Sequence, residues 1–278
     1  MAPDLALAEA LVAAHPLAVR RTRRGAVSYR ASGAGGKAVC LLHGIGSQSG
    51  SWVRQLAALG ARGRAIAWDA PGYGESDPLL MASPAAADYA ESLAAFLDAL
   101  DVERAVLVAS SLGALIAGAF AARHPGRVAS MVLLNPAGGY GAADPAERAH
   151  KLAARLDRLA RLGPAGMAQE LSPGMLVPGA SVEAVALAAW STARIRPDGY
   201  TQAARMLADG RLADDAARYP GPVLVVAGAH DTITPAAGCA AIARAFPQGN
   251  YRLLEAAGHL SYLDSAEQVN RLLEDAVA

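Results

Sequence analysis

The chain has 278 residues, 53% of them hydrophobic, a size that suits one α/β domain with an insertion and a large buried core. Its 25 Lys and Arg against 25 Asp and Glu give no net formal charge, which argues against nucleic acid or a membrane surface as a partner. Two cysteines, with no CxxC and no His/Cys cluster, offer neither a disulfide framework nor a metal site, and read as buried thiols in a reducing, cytoplasmic compartment.

In chain order, the first segment carries Asp4 and Glu9 and no basic run, so it reads as a short helix rather than a secretion signal. Residues 19–24 and 27–30, joined through Gly25, look like an antiparallel hairpin at a sheet edge. Short apolar runs follow at 38–42 (holding Cys40), 65–68, 105–109, 130–134, 223–227 and 251–254. Helical patterns separate them at 52–59, 84–100, 112–123, 235–246 (holding Cys239) and 265–276. Ser83-Pro84 has the form of a helix start, an N-cap followed by proline at the first helical position. Strands without polar alternation, separated by helices, predict an α/β protein with a mostly parallel sheet covered on both faces.

Residues 139–219 break the alternation, being helical throughout with loops at Gly163-Pro164, Ser172-Pro173-Gly174 and Pro178-Gly179. Such an insertion cannot lie within the sheet and is expected to form a helical cap over one sheet edge. The core is then residues 1–138 with 220–278, and the cap is 139–219. The stretch 105–122 has no charge and is about as long as a membrane span. Its two glycines, two serines and helix-end signals favour a strand and helix instead, so no membrane association is expected.

Ligands of open parallel sheets bind beyond the carboxyl ends of the strands, so the polar residues there are the ones to inspect. After 105–109 come Ser110, Ser111, Leu112 and Gly113. A strand, a one-residue hairpin and a helix are compressed there into small-x-Ser-x-Gly, with Ala109 where the usual nucleophile elbow has its first glycine. A serine at that apex points from the carboxyl edge of the sheet at a helix amino end, which suits a nucleophile whose attack creates an oxyanion.

Among the six histidines, His15, His124 and His150 lie away from this rim, His43 reads as a brace for its glycine loop, and His230 abuts Asp231. His259, beside Gly258 after the last strand, is left as general base. Asn135, after 130–134, carries no charge, which makes Asp231 the acid; its alternative role is an N-cap for the helix starting near Pro235. Serine, aspartate and histidine then follow one of the known chain orders of a Ser-His-Asp triad.

With these pieces the chain resembles the α/β-hydrolase superfamily over nearly its whole length. The matching segments are Leu42-His43-Gly44-Ile45, Asp69-Ala-Pro-Gly-Tyr-Gly-Glu-Ser76, the Ser111 elbow, Gly228-Ala-His-Asp231 with Pro235, and Gly258-His259. The resemblance implies an oxyanion hole from the backbone N–H groups of Ile45 and Leu112. Within the superfamily the chain is similar to 3-oxoadipate enol-lactonases and small carboxylesterases, through Pro197-Asp-Gly-Tyr200, 207–212 and His259-Leu-Ser261. It is also similar to C–C hydrolases of aromatic meta-cleavage products, but has Leu260 where they usually carry Trp and Ser110 where they usually carry Asn.

These features lead to a serine hydrolase of a small-molecule ester or lactone that works through an acyl-enzyme and needs no cofactor or metal. Arg194, Arg196 and Arg205 in the cap are candidates to grip a substrate carboxylate, or else lie on solvated helix faces. Trp190 reads as substrate wall or as cap core. An acyltransferase or perhydrolase with the same triad, and a non-catalytic ligand receptor, are the alternatives from other classes.

Overall fold

The structure is a computed structural model that describes residues 3–170 and 174–277. The strands are β1 (Ala18–Thr22), β2 (Gly25–Ser32), β3 (Ala38–Leu42), β4 (Arg64–Trp68), β5 (Ala105–Ser110), β6 (Val128–Leu134), β7 (Pro222–Gly228) and β8 (Gln248–Leu254). They form one sheet in the order β1-β2-β4-β3-β5-β6-β7-β8. The leading hairpin pairs antiparallel, β2 joins β4 antiparallel, and every later pairing is parallel.

Two apolar layers sandwich the sheet, which explains the unbroken apolar strands. In β3, Cys40 and Leu42 face one cluster while Val39 and Leu41 face the other; in β5, Leu107 and Ala109 oppose Val106 and Val108. On the first face lie α3 (Ala86–Ala99) and α4 (Gly113–Arg123), which bury Leu93, Phe96, Leu115 and Phe120. On the second lie α1 (Leu5–Ala13) and α2 (Val53–Gly60), with Val12, Leu56 and Leu59. The stretch 105–122 is β5 with most of α4, and among the described residues no helix is long and apolar enough to cross a membrane.

Two helix starts differ from expectation. Ser83-Pro84 does not begin α3; the N-cap is Ala85, whose backbone N–H donates to the Asp88 carboxylate at 2.8 Å. Asp88, in the first turn, satisfies an orphan donor and complements the helix dipole, so the Ser-Pro pair is left outside. Trp52 closes a 3₁₀ turn (Ser49–Trp52) rather than opening α2.

Among the described residues, the regular elements between β6 and β7 are all helices: α5 (Pro145–Gln169), α6 (Val182–Ala193), α7 (Pro197–Asp209) and α8 (Leu212–Ala216). The expected loop at Gly163-Pro164 is a break within α5, where Gly163 has φ 60 and ψ 175. Of the expected loop at Ser172-Pro173-Gly174, the first two residues lie outside the described residues. After β7 come α9 (Ala236–Ala245) and, following β8, α10 (Ser261–Asp264) and α11 (Ala266–Val277), which adds Val269 and Leu273 to the second face.

Candidate active site

The site grows from the carboxyl ends of β3, β5, β6, β7 and β8. Ser111 follows β5 directly and has φ 52, a left-handed value that a residue with a Cβ adopts only under surrounding constraint. The constraint is visible: its N–H donates to Leu134 O at 3.0 Å, and its carbonyl accepts from Ala114 and Ala137. Gly113 is required by close approach, since a Cβ there would lie 2.6 Å from Leu42 O and 2.9 Å from His43 O. Strand and helix thus meet at backbone contact, and the Ser111 side chain is left on the rim.

His259 faces Ser111 and Asp231 at once. Its Nε2 is 2.9 Å from Ser111 Oγ and its Nδ1 is 2.9 Å from Asp231 Oδ2. Ser111, Asp231 and His259 are all buried. The Asp231 carboxylate also accepts from the N–H groups of Ile233 and Thr234 on Oδ1, and from Asn135 Nδ2 and Thr234 Oγ1 on Oδ2. Burial works to raise its pKa, but the hydrogen bond and charge of His259 and the Thr234 contacts outweigh it, and the carboxyl is held below the usual range. The N-cap alternative for Asp231 is not the geometry found: α9 begins after Pro235, and Asp231 turns its carboxylate to the imidazole.

Two residues at this centre escaped the sequence reading. Asn135, set aside because it carries no charge, is wholly buried with φ 49 and donates to both Asp231 Oδ2 (2.8 Å) and Gly258 O (3.1 Å). Ser261 donates to its Oδ1, which fixes the amide orientation. Thr234 Oγ1 lies 2.6 Å from Asp231 Oδ2 and 3.1 Å from His259 Nδ1. For Asn135 the available signal was its place directly after β6; Thr234, in the loop between β7 and α9, offered none.

His43 braces its loop. Its Nε2 accepts the Ala70 N–H at 3.0 Å, its Nδ1 faces Gly44 O at 2.8 Å, and burial lowers its pKa. Tyr73 donates to Ile45 O at 2.9 Å, so the loop after β3 is tied on both sides. Ile45 lines the pocket in front of Ser111, and Leu112 lies at the amino end of α4, where backbone N–H groups have no intrahelical acceptor. Cys40 and Cys239 are buried free thiols, each with its pKa pushed up to about 12 chiefly by burial.

The pocket reaches from Ser111 and His259 to the helices between β6 and β7, with Ala137, Met167, Met175, Leu207 and Leu260 in its walls. The residues expected to bind substrate have other partners. Arg194 pairs with Glu9 and lies 4.5 Å over the Trp190 ring; Arg196 donates to Ser76 O and pairs with Asp198; Arg205 donates to Ala82 O. None of them, nor Trp190, lines the pocket. Helical periodicity is the reason. On α6 the pocket face is Ala188, Ser191 and Thr192, so Trp190 and Arg194, four residues apart, share another face, where Trp190 covers Gly50. On α7 the pocket face is Tyr200 and Leu207, seven residues apart, which turns Arg205 away. The arginines in the pocket wall are Arg155 and Arg158 of α5.

Among the described residues no group of three or more His, Cys, Asp or Glu could hold a metal ion. Comparison with known proteins bears on what remains. The dihydrolipoyllysine-residue acetyltransferase component of the acetoin cleaving system of Pseudomonas putida is 32% identical over 250 residues, covering 87% of this chain but 64% of that protein. The chain therefore spans less than two thirds of that relative's length. A 2-hydroxy-6-oxononadienedioate/2-hydroxy-6-oxononatrienedioate hydrolase of the same organism is 38% identical over 121 residues, 42% of each chain. Among solved structures, a thermophilic esterase from Thermogutta terrifontis superposes with TM-score 0.82 at 24% identity, over 94% of this chain and 97% of that one, which is a likeness of fold. The family model for the alpha/beta hydrolase fold matches residues 37–266, from the start of the parallel sheet to the first residue of α11, and the chain belongs to that family.

Proposed function

We propose that the protein is a serine hydrolase of small carboxylic esters or lactones, with Ser111 as nucleophile, His259 as general base and Asp231 as the acid that orients it. The observation that carries this reading is the unbroken hydrogen-bond chain Ser111–His259–Asp231, with both links at 2.9 Å, opening onto the pocket. Ser111 attacks the carbonyl carbon while His259 Nε2 takes its proton. The charge that develops on the carbonyl oxygen meets the N–H groups of Ile45 and Leu112. His259 returns the proton to the leaving alkoxide, and water then cleaves the acyl-enzyme by the same route in reverse. Residues 139–219 act as the cap that closes the pocket over the nucleophile.

Cleavage of a C–C bond in a ring-fission product is the second reading, supported by the local 38% identity to a hydrolase of that kind. Leu260 and Ser110 stand against it, occupying places where such enzymes usually carry Trp and Asn. The assay is hydrolysis of a panel of aryl esters, lactones and ring-cleavage products, run with Ser111→Ala alongside. The hydroxyl is small and leaves the elbow intact, so the variant should fold and lose on the order of 10⁴-fold or more in kcat. Retention of a tenth of wild-type activity by Ser111→Ala would refute the nucleophile.

A further inference from the structure

Five Lys and Arg side chains lie along α5. Arg148 pairs with Asp209 at 3.4 Å, Lys151 with Glu147 at 3.5 Å and Arg161 with Asp157 at 2.9 Å. Arg155 and Arg158 line the pocket. Among the described residues Arg155 has no carboxylate within ion-pair distance; its side-chain partner is the Tyr140 hydroxyl at 3.3 Å, with the guanidinium 5.9 Å from that ring. Arg158 is steadied by the Glu170 carbonyl. The pocket wall contains no aspartate or glutamate among the described residues.

A half-buried guanidinium beside apolar walls loses hydration, and a phenol at 3.3 Å returns little of it. Two arginines three residues apart on a helix present their forks on one side, a geometry that matches the oxygens of a carboxylate or phosphate. We propose that Arg155 and Arg158 form an anion subsite, and that the substrate carries a carboxylate or phosphate group at the end remote from the carbonyl that Ser111 attacks. The proposal rests on the hydrolase reading for its location but names a substrate class that reading leaves open.

The test uses the full chain with 4-nitrophenyl monoesters of succinate, glutarate and adipate, their methyl-capped neutral counterparts, and chain-matched esters ending in phosphate. In Arg155→Gln/Arg158→Gln the anionic-to-neutral ratio of kcat/KM should fall about 10- to 100-fold, the range expected for lost charge-assisted hydrogen bonds. A fall confined to the carboxylate series, or to the phosphate series, supports the subsite and identifies its ligand. An unchanged ratio in both series overturns it. Arg155→Lys/Arg158→Lys, which keeps the charge and loses the fork, serves if the glutamine variant does not fold, and should show a smaller fall. Failure of the hydrolase reading is seen separately, as no turnover of any ester and no labelling of Ser111 by a fluorophosphonate. Calorimetric binding of glutarate and of an alkyl phosphate to wild type and variant then decides the subsite alone, and equal binding by both proteins refutes it.

Discussion

At the scale of single residues, the site holds two carboxylates near His259, Asp231 buried and Asp264 half-buried, and their surroundings assign them different work. Asp231 takes His259 Nδ1 on the oxygen that also receives Asn135 and Thr234, whereas Asp264 Oδ2 accepts the N–H groups of Gly258 and Val177 at 3.0 Å each. Asp264 thus holds the backbone next to His259, and Asp231 holds the ring. Asp231→Asn should leave the imidazole in place in the wrong tautomer and cost roughly 10⁴-fold in kcat, as in well-studied triads. Asp264→Asn keeps an oxygen for the two N–H donors, so kcat should stay within a few-fold; the reverse ranking would transfer the acid role to Asp264. The same variant has a stability signature. Burial, the largest effect, raises the Asp264 pKa above its ordinary 3.8 despite those N–H donors. The folded protein therefore binds this proton more tightly than the unfolded chain. Its contribution is most favourable below the unfolded pKa and declines as pH rises through the folded one. Replacement by Asn should remove that decline, and a gap in Tm between wild type and variant that stays constant from pH 3 to pH 8 would contradict the assignment.

At the scale of elements, the elbow between β5 and α4 was legible because geometry leaves it so few sequences. Ala109, Ser111 and Gly113 are small or apical for reasons that any strand–helix hairpin of this kind must meet. The central parallel strands were legible for a similar reason, β3 and residues 105–109 of β5 being apolar at every position because both faces are covered, whereas the edge strand β8 is mostly exposed. The start of α3 was not, because its stabilising group is the Asp88 side chain reaching back, and Ser83-Pro84 offered an equally good local solution two residues earlier. The tightness of the elbow gives a direct prediction. Gly113→Ala sets a methyl group 2.6 Å from the Leu42 carbonyl, a backbone atom with no room to move. The variant should lose about 1–3 kcal/mol of stability, measured by urea unfolding, as overpacked sites do. Its kcat should fall as well, since α4 carries Leu112 toward the loop of Ile45. A variant as stable and active as wild type would show that strand and helix are not held at this contact.

At the scale of the whole molecule, the strand ends bring Ser111, Asp231 and His259 together, while helices between β6 and β7 wall the pocket in front of them. The rim could be inferred residue by residue, because each strand end delivers its next residues to one place. The pocket wall could not, because which face of α5, α6 or α7 turns inward depends on how those helices dock. That is why the sequence pointed to Arg194, Arg196 and Arg205 and not to Arg155 and Arg158. The three outer arginines tie helices to the body instead: Arg194 reaches Glu9 of α1, while Arg196 and Arg205 reach carbonyls of Ser76 and Ala82 in the segment between β4 and α3. Backbone contact completes the seating at Gly199 of α7, where a Cβ would lie 2.0 Å from Gly72 O. Gly199→Ala should therefore lift the start of α7, which carries Tyr200 of the pocket wall. Such a displacement loosens the pocket for every ligand, so KM should rise for anionic and neutral esters together and their ratio should hold. Arg196→Gln should act in the same direction but more weakly, since half-exposed ion pairs contribute only about 0–1 kcal/mol. If either change altered the anionic-to-neutral ratio as strongly as loss of Arg155 and Arg158, charge would be read by the way α7 is seated rather than by the α5 arginines.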